Sequence, residues 1–346
     1  MSNFFSLIGI KNIHISSRQI IILNVFVITS CICFLMAAVT GSVNVPIENL
    51  IRGDISELTK IVLIEIRLPR VILAALVGAS LGISGAALQG LFRNPLADPG
   101  LIGVSAGAAL GATLIIVLGS SISGGLFLGS FLLPLGAITG AMLVIMMLYL
   151  LTKGFGYQGV TYMLLVGIAV NAIAGVGIGI LTFVSTDSEL RGLTFWTMGS
   201  FGGVTWPLLI PAIAIILISI SSMMTVSRNL DLIQLGEPEA YRLGVDVKKL
   251  KYRIIISCAA AVGASVSLSG MIGFVGLVVP HLVRLFGGVN HNYLLPGSAF
   301  VGAALMITAD MLSRTIIQPA ELPVGLITSA IGSPFFLWLI FRIKRS

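Results

Sequence analysis

Residues 70–91 read RVILAALVGASLGISGAALQGL, and after Arg70 no ionisable side chain follows until Arg93. About 20 apolar residues in a helix cross a hydrocarbon core of ~30 Å, so this run is long enough to span a bilayer. Within it Gly78-x-x-x-Gly82 makes a flat strip on one helix face, which lets a neighbouring backbone come close where lipid supplies no hydrophobic drive between helices. Working outward, similar runs fall at 19–40, 101–118, 126–151, 161–184, 206–226, 253–271, 272–287, 297–317 and 323–342. The count is ten spans, the eighth short and joined to the seventh by a tight turn at Ser269-Gly270. The fold class is therefore an all-α membrane protein, a single transmembrane domain over 1–346.

Composition agrees. Of 346 residues, 57% are hydrophobic and 10% charged, against about 25% charged in a soluble domain, and mean hydropathy is +1.08. A soluble enzyme, a disordered tail and a disulfide scaffold are excluded. The net charge of +7 does not mark a nucleic-acid binder, because the basic residues lie between apolar runs, where they set topology. With ten spans both termini lie inside. Arg52, Lys60, Arg67, Arg70, Arg191 and Arg314 are then outside, which leaves 14 of the 20 basic residues inside. Residues 1–18 form a cytoplasmic tail and 227–252 a cytoplasmic loop. The first run exceeds the 7–15 apolar residues of a signal peptide and lacks an A-x-A site after it, so it reads as a retained span.

Further glycine strips occur at Gly103/Gly107/Gly111, Gly136/Gly140 and Gly175/Gly179, each read as tight helix packing. Residues 78–85 (GASLGISG) and 263–270 (GASVSLSG) match at an offset of 185, as do Pro95 and Pro280. A duplicated half is an arrangement many transporters use.

Catalytic signatures are missing: no H-E-x-x-H, no G-x-S-x-G and no phosphate loop occurs. Cys31, Cys33 and Cys258 lie in apolar runs without ligand-like histidines, and no metal site is expected. The one carboxylate within a span is Asp310, with Arg314 four residues on and on the same helix face. Structural pairing and a surface role for Arg314 are both open on this spacing. A single such carboxylate counts against a proton-driven secondary carrier. On the inner side, LGEPEAYRLGV at 235–245 holds breakers at Gly236 and Pro238, a short helix from Glu239 to Leu243 and a stop at Gly244. It suits docking into a partner's groove. On the outer side, residues 184–204 hold another short helix, capped by Asp187 or Ser188.

Seven stretches in order, RLPR (67–70), SGAALQGLFRNPLADPGLIGVSAG (84–107), LVGIAVNA (165–172), LGEPEAYRLGV (235–245), SGMIGFVGLVVPHLVR (269–284), LLPGSAFVGAALMITADMLSR (294–314) and ELPVGLITSAIGSPFF (321–336), resemble the permease subunits of type II ABC importers, which carry ferric siderophores, haem or vitamin B12. The resemblance implies a vitamin B12 permease-like fold of about ten helices. It implies a multi-pass homodimer in the bacterial inner membrane, with the pore at the two-fold interface, two ATP-binding cassette ATPase subunits below and a periplasmic substrate-binding protein above. No enzymatic site and no cofactor would belong to this chain; ATP would be used by the partner subunit.

Coupling to the ATPase would fall on Leu235, Gly236, Glu237, Glu239, Ala240, Leu243 and Gly244, and binding-protein docking on Arg67, Arg70 and Arg314. The pore would be lined from the fifth span and the helix after it, by Met163, Val166, Asn171, Ile180, Phe183, Trp196 and Met198. The stretch at 181–200 is most similar to haem-import permeases, with ferric siderophore and cobalamin as the other cargoes.

Overall fold

The computed structural model describes residues 15–41, 56–122, 129–152 and 159–344. Most of the 1–18 tail, the acids Glu48 and Asp54 with Arg52, and Lys153 lie outside the described residues.

Helix α1 (Ser17–Val39) begins on a capping box, Ser16 accepting from the Gln19 backbone while the Gln19 side chain accepts from Ser16 N–H. A short α2 (Glu57–Ile61) runs through a π-type turn (Val62–Arg67) into α3 (Leu68–Phe92), so the second span starts well before position 70. There follow α4 (Val104–Ile122), α5 (Gly129–Thr152), α6 (Gly159–Val184), α7 (Asp187–Met198) and α8 (Trp206–Met224). The inner loop contains α9 (Ser227–Ile233) and α10 (Glu237–Arg242), and the chain continues as α11 (Val247–Ser269), α12 (Val275–Gly287), α13 (His291–Thr315) and α14 (Val324–Lys344). Among the described residues seven helices are long and apolar enough to cross a bilayer, and three shorter apolar ones lie at 104–119, 275–287 and 324–338. Together these are the ten expected spans.

Helix α3 is the central rod, buried along almost its whole length from Pro69 to Leu91. Its glycine strip is what allows this. A Cβ on Gly78 would overlap the Gly302 carbonyl on α13, and one on Gly85 would overlap the Gly276 carbonyl on α12. The α4–α5 pair uses the same device, Gly111 against Gly136 and Gly140 against Gly107. Gly175 and Gly179 depart from the expectation of tight packing: a Cβ on either meets nothing within 4 Å.

The repeated octapeptide keeps its packing role at its first glycine. Gly78, on the second span, meets the ninth (α13), and Gly263, on the seventh, meets Ala141 of the fourth (α5). Advancing the 2–9 pair by five spans, with the ninth wrapping to the fourth, gives the 7–4 pair. The match ends farther along. Gly85 lies inside α3 whereas Gly270 follows the end of α11, and Pro95 lies in a connection whereas Pro280 lies within α12.

Candidate functional site

Three regions carry the residues singled out in the sequence. At the outer end, Arg70 is 7% exposed and lies between two carboxylates. Its Nε donates to Asp310 Oδ1 at 2.9 Å, and its Nη1 donates to Glu321 Oε2 at 2.9 Å. The Asp310–Arg314 pair foreseen from spacing is present, with Arg314 Nε 3.1 Å from Asp310 Oδ2. The other Arg314 nitrogens donate to the carbonyls of Thr40 and Ala37 at 3.2 and 3.3 Å. Arg67 Nη1 likewise donates to the carbonyls of Ala38 and Val39. All three arginines are thus buried, and they stitch α1, α3, α13 and the connection before α14 together rather than projecting outward. Spacing could not reveal Arg70 and Glu321, which lie 240 and 11 residues from Asp310.

The second region is one face of α6 with α7. Leu165, Ile168, Val176, Ile180 and Phe183 recur at helical spacing and are 55, 58, 64, 61 and 91% exposed, next to the open strip of Gly175 and Gly179. Val166 is only partly exposed and packs on the core. Asn171 is also turned inward, its Nδ2 donating to Gly100 O at 3.3 Å. It thereby ties α6 to the 99–102 turn, which Asp98 caps by accepting from Gly100 N–H at 2.8 Å. Burial pushes the Asp98 carboxyl above its ordinary range, with the Gly100 N–H opposing. The Met163 side chain lies outside the described residues.

Helix α7 is capped by Thr186, not by Asp187 or Ser188. Glu189 returns its carboxylate to the Thr186 N–H at 2.8 Å, completing a capping box that leaves Asp187 and Ser188 in the first turn. The C-terminal end of α7 is clamped: Ser200 N donates to Ser269 O at 2.8 Å and Val324 N to Gly199 O at 3.0 Å. Gly270 has φ +68°, and a Cβ there would overlap the Trp196 carbonyl. Trp196 and Met198 are therefore half-buried at this clamp, while Phe195 stays 65% exposed. Behind α7 lies a cavity of about 400 Å³ between Phe195, Pro134 and Ser267.

The third region is the inner loop. Helix α10 starts at Glu237, two residues before the expected Glu239, because proline is tolerated in a first helical turn. Gly236 precedes it at φ +118°, a conformation that side chains disfavour. Ala240 is fully buried and anchors the helix. Glu237 turns inward to Lys251 Nζ at 2.8 Å, with both side chains nearly buried. Glu239 and Gly244 remain exposed. The outward surface also carries large apolar side chains: Leu235, Tyr241 and Leu243 are 62, 66 and 57% exposed. Tyr241 was not among the expected contact residues, although an aromatic within a polar loop was a visible signal. Beyond α10, Asp246 caps α11 and hydrogen bonds from Lys249 hold its carboxyl below the usual range.

The FecCD transport family matches residues 27–342. The chain is 48% identical over 282 residues to the hemin transport system permease protein HmuU of Yersinia pestis, covering 82% of this chain and 84% of that one. It is 38% identical over 290 residues to the vitamin B12 import system permease protein BtuC of Vibrio vulnificus, covering 81% and 82%. Among solved structures, one described as an inward-facing conformation of a metal-chelate type ABC transporter superposes with a TM-score of 0.82 at 32% identity, covering 93% of this chain and 99% of that one.

Proposed function

The chain belongs to the FecCD transport family of ABC importer permeases, and from that premise we propose that its cargo is haem. The observation that carries this reading is the 48% identity to a hemin permease, against 38% to the vitamin B12 permease. A ferric siderophore or cobalamin is the second reading; the B12 permeases among the relatives favour cobalamin. In this reading two copies face each other across the exposed rows of α6, in the inner membrane of a bacterium. An apolar wall offers few hydrogen bonds to a large rigid cargo, so nothing there would trap it. A periplasmic binding protein delivers to the outer end, where three guanidiniums outnumber two carboxylates; these side chains are bonded within the chain, so they draw the partner's acids through the field of their net positive charge rather than by direct contact. Two ATPases dock below, and the chain holds no cofactor.

The test is a titration of the cognate binding protein, with ATP hydrolysis by the assembled complex as second readout. Haem should bind at least about tenfold tighter than cobalamin or a ferric siderophore, equivalent to about 1.4 kcal/mol, and should be the cargo that stimulates hydrolysis. Tighter binding of either competitor would overturn haem as the cargo. Uptake by the chain alone down an ion gradient would establish an ATP-independent carrier instead.

The inner surface gives a separate expectation. In the double variant Tyr241→Ala/Leu243→Ala, association with the ATPase should weaken about 30-fold, the loss of an interface hot spot. Both side chains point outward, so the melting temperature of the permease alone should stay close to wild type. Co-purification undiminished in the variant would place the ATPase contact elsewhere.

A further inference from the structure

Away from all three regions, an apolar groove of about 570 Å³ runs along the outside of the bundle between α5, α8 and α11. Its floor is made of small residues, with Ala259, Ala260, Gly263 and Ala264 on α11 and Ala141 on α5. Large side chains line its walls, Met142 and Met146 of α5 being 60 and 56% exposed. The groove is therefore a depression in a surface that otherwise meets lipid.

We propose that this groove holds an acyl chain of an anionic phospholipid from the cytoplasmic leaflet, its headgroup held by Lys249 and Arg253. Length supports the leaflet. From Tyr252 to Gly263 the groove wall rises eleven residues, about 17 Å of helix, against ~15 Å for half of a ~30 Å hydrocarbon core. Aromatic rings mark its inner mouth, where Tyr149 of α5 and Tyr252 of α11 pack with centroids 5.2 Å apart. Such rings favour the headgroup level.

Charge supports the anion. Arg253 lies four residues after Lys249 and three before Ile256, so the two cations lie on the helix face that continues into the groove. Both are exposed. Among the described residues Arg253 has no acidic partner, and Lys249 meets only the exposed Asp246 at 3.2 Å. Basic pockets between helices on the cytoplasmic side suit anionic headgroups. The third lysine of this turn, Lys251, faces inward to Glu237 and is unavailable.

Native mass spectrometry of the delipidated full chain tests this, with dioleoyl phosphatidylglycerol and dioleoyl phosphatidylcholine as probes. Their tails are identical and only the headgroup charge differs. The wild type should retain phosphatidylglycerol in preference, and Lys249→Gln with Arg253→Gln should lower that retention roughly 25-fold, about fivefold for each basic residue near the surface. Ala260→Phe fills the floor and should release the lipid with the headgroup cations intact. Met142→Trp does so from the opposite wall, should the first variant misfold. Equal retention of the two lipids by the wild type would overturn the proposal. So would unchanged retention in a folded, filled variant, or a filled variant that changes oligomeric state, which would make the occupant a second copy of the chain.

Discussion

Replacing Asp310 with alanine should destabilise the purified chain by about 3–5 kcal/mol, the usual cost of removing one partner from a buried ion cluster. Asp310 is 1% exposed and accepts from two arginines that are themselves 7% and 6% exposed. Without it, Arg314 keeps only backbone carbonyls and Arg70 keeps only Glu321. Two guanidiniums would then face each other in a region from which water is excluded. Asp310→Asn keeps the shape and one acceptor oxygen, and should fall between alanine and wild type. Glu321→Gln should cost no more than about 1 kcal/mol, because the Glu321 side chain is 49% exposed and water replaces what is lost. Thermal unfolding in detergent ranks the three. A loss below 1 kcal/mol for Asp310→Ala would mean that this cluster does not hold the outer end together.

A bulky residue at Gly78 should be equally damaging for a different reason. In Gly78→Val the new side chain points into the backbone of α13 at Gly302, and the clash is with a carbonyl rather than with the end of a flexible side chain. Neither helix can yield without leaving its other neighbours, since α3 also meets α12 through Gly85. The expected loss exceeds about 4 kcal/mol, read as aggregated material on size exclusion. Gly175→Ala is the matched control. Nothing lies within 4 Å of that position, and alanine gains up to about 1 kcal/mol of helix propensity over glycine. The isolated chain should be as stable as wild type or slightly more so. If α6 faces a second copy across a pore, transport should fall while the melting temperature does not. A Gly78→Val chain that elutes as a folded species would refute the close crossing.

Most of the architecture was legible because spans are written in long apolar runs, and ten were countable. Helix ends were less so. The second span extends outward through a π-type turn at Val62–Arg67, and no run of apolar residues signals such a turn. Glycine spacing signalled close packing correctly for Gly78, Gly107 and Gly140. It misassigned Gly175 and Gly179, because a strip identifies a face without saying what covers it. The candidate site was legible in position and less so in orientation. Glu237 is in the expected helix but points to Lys251, Asn171 is on the expected span but bonds to Gly100, and the outer arginines are where topology put them but turned inward. Side-chain direction depends on partners 14, 71 and 240 positions away for Glu237, Asn171 and Arg70, and local spacing does not contain them.

The anchoring of α10 bears on how force travels. Ala240 packs this short helix onto the body, Lys251 pins Glu237 to α11, and Gln234 just upstream donates at 2.7 Å to the carbonyl of Gly90 near the inner end of α3. A push delivered to Tyr241 and Leu243 therefore meets little slack. From Gly90 to Arg70 the same helix runs twenty residues, about 30 Å, with other helices touching it along the way. Such a rod is stiff along its axis, so a displacement imposed at the inner surface reaches the arginine cluster as motion of one body. If the chain works as proposed, loading below and delivery above would be opposite ends of a single lever.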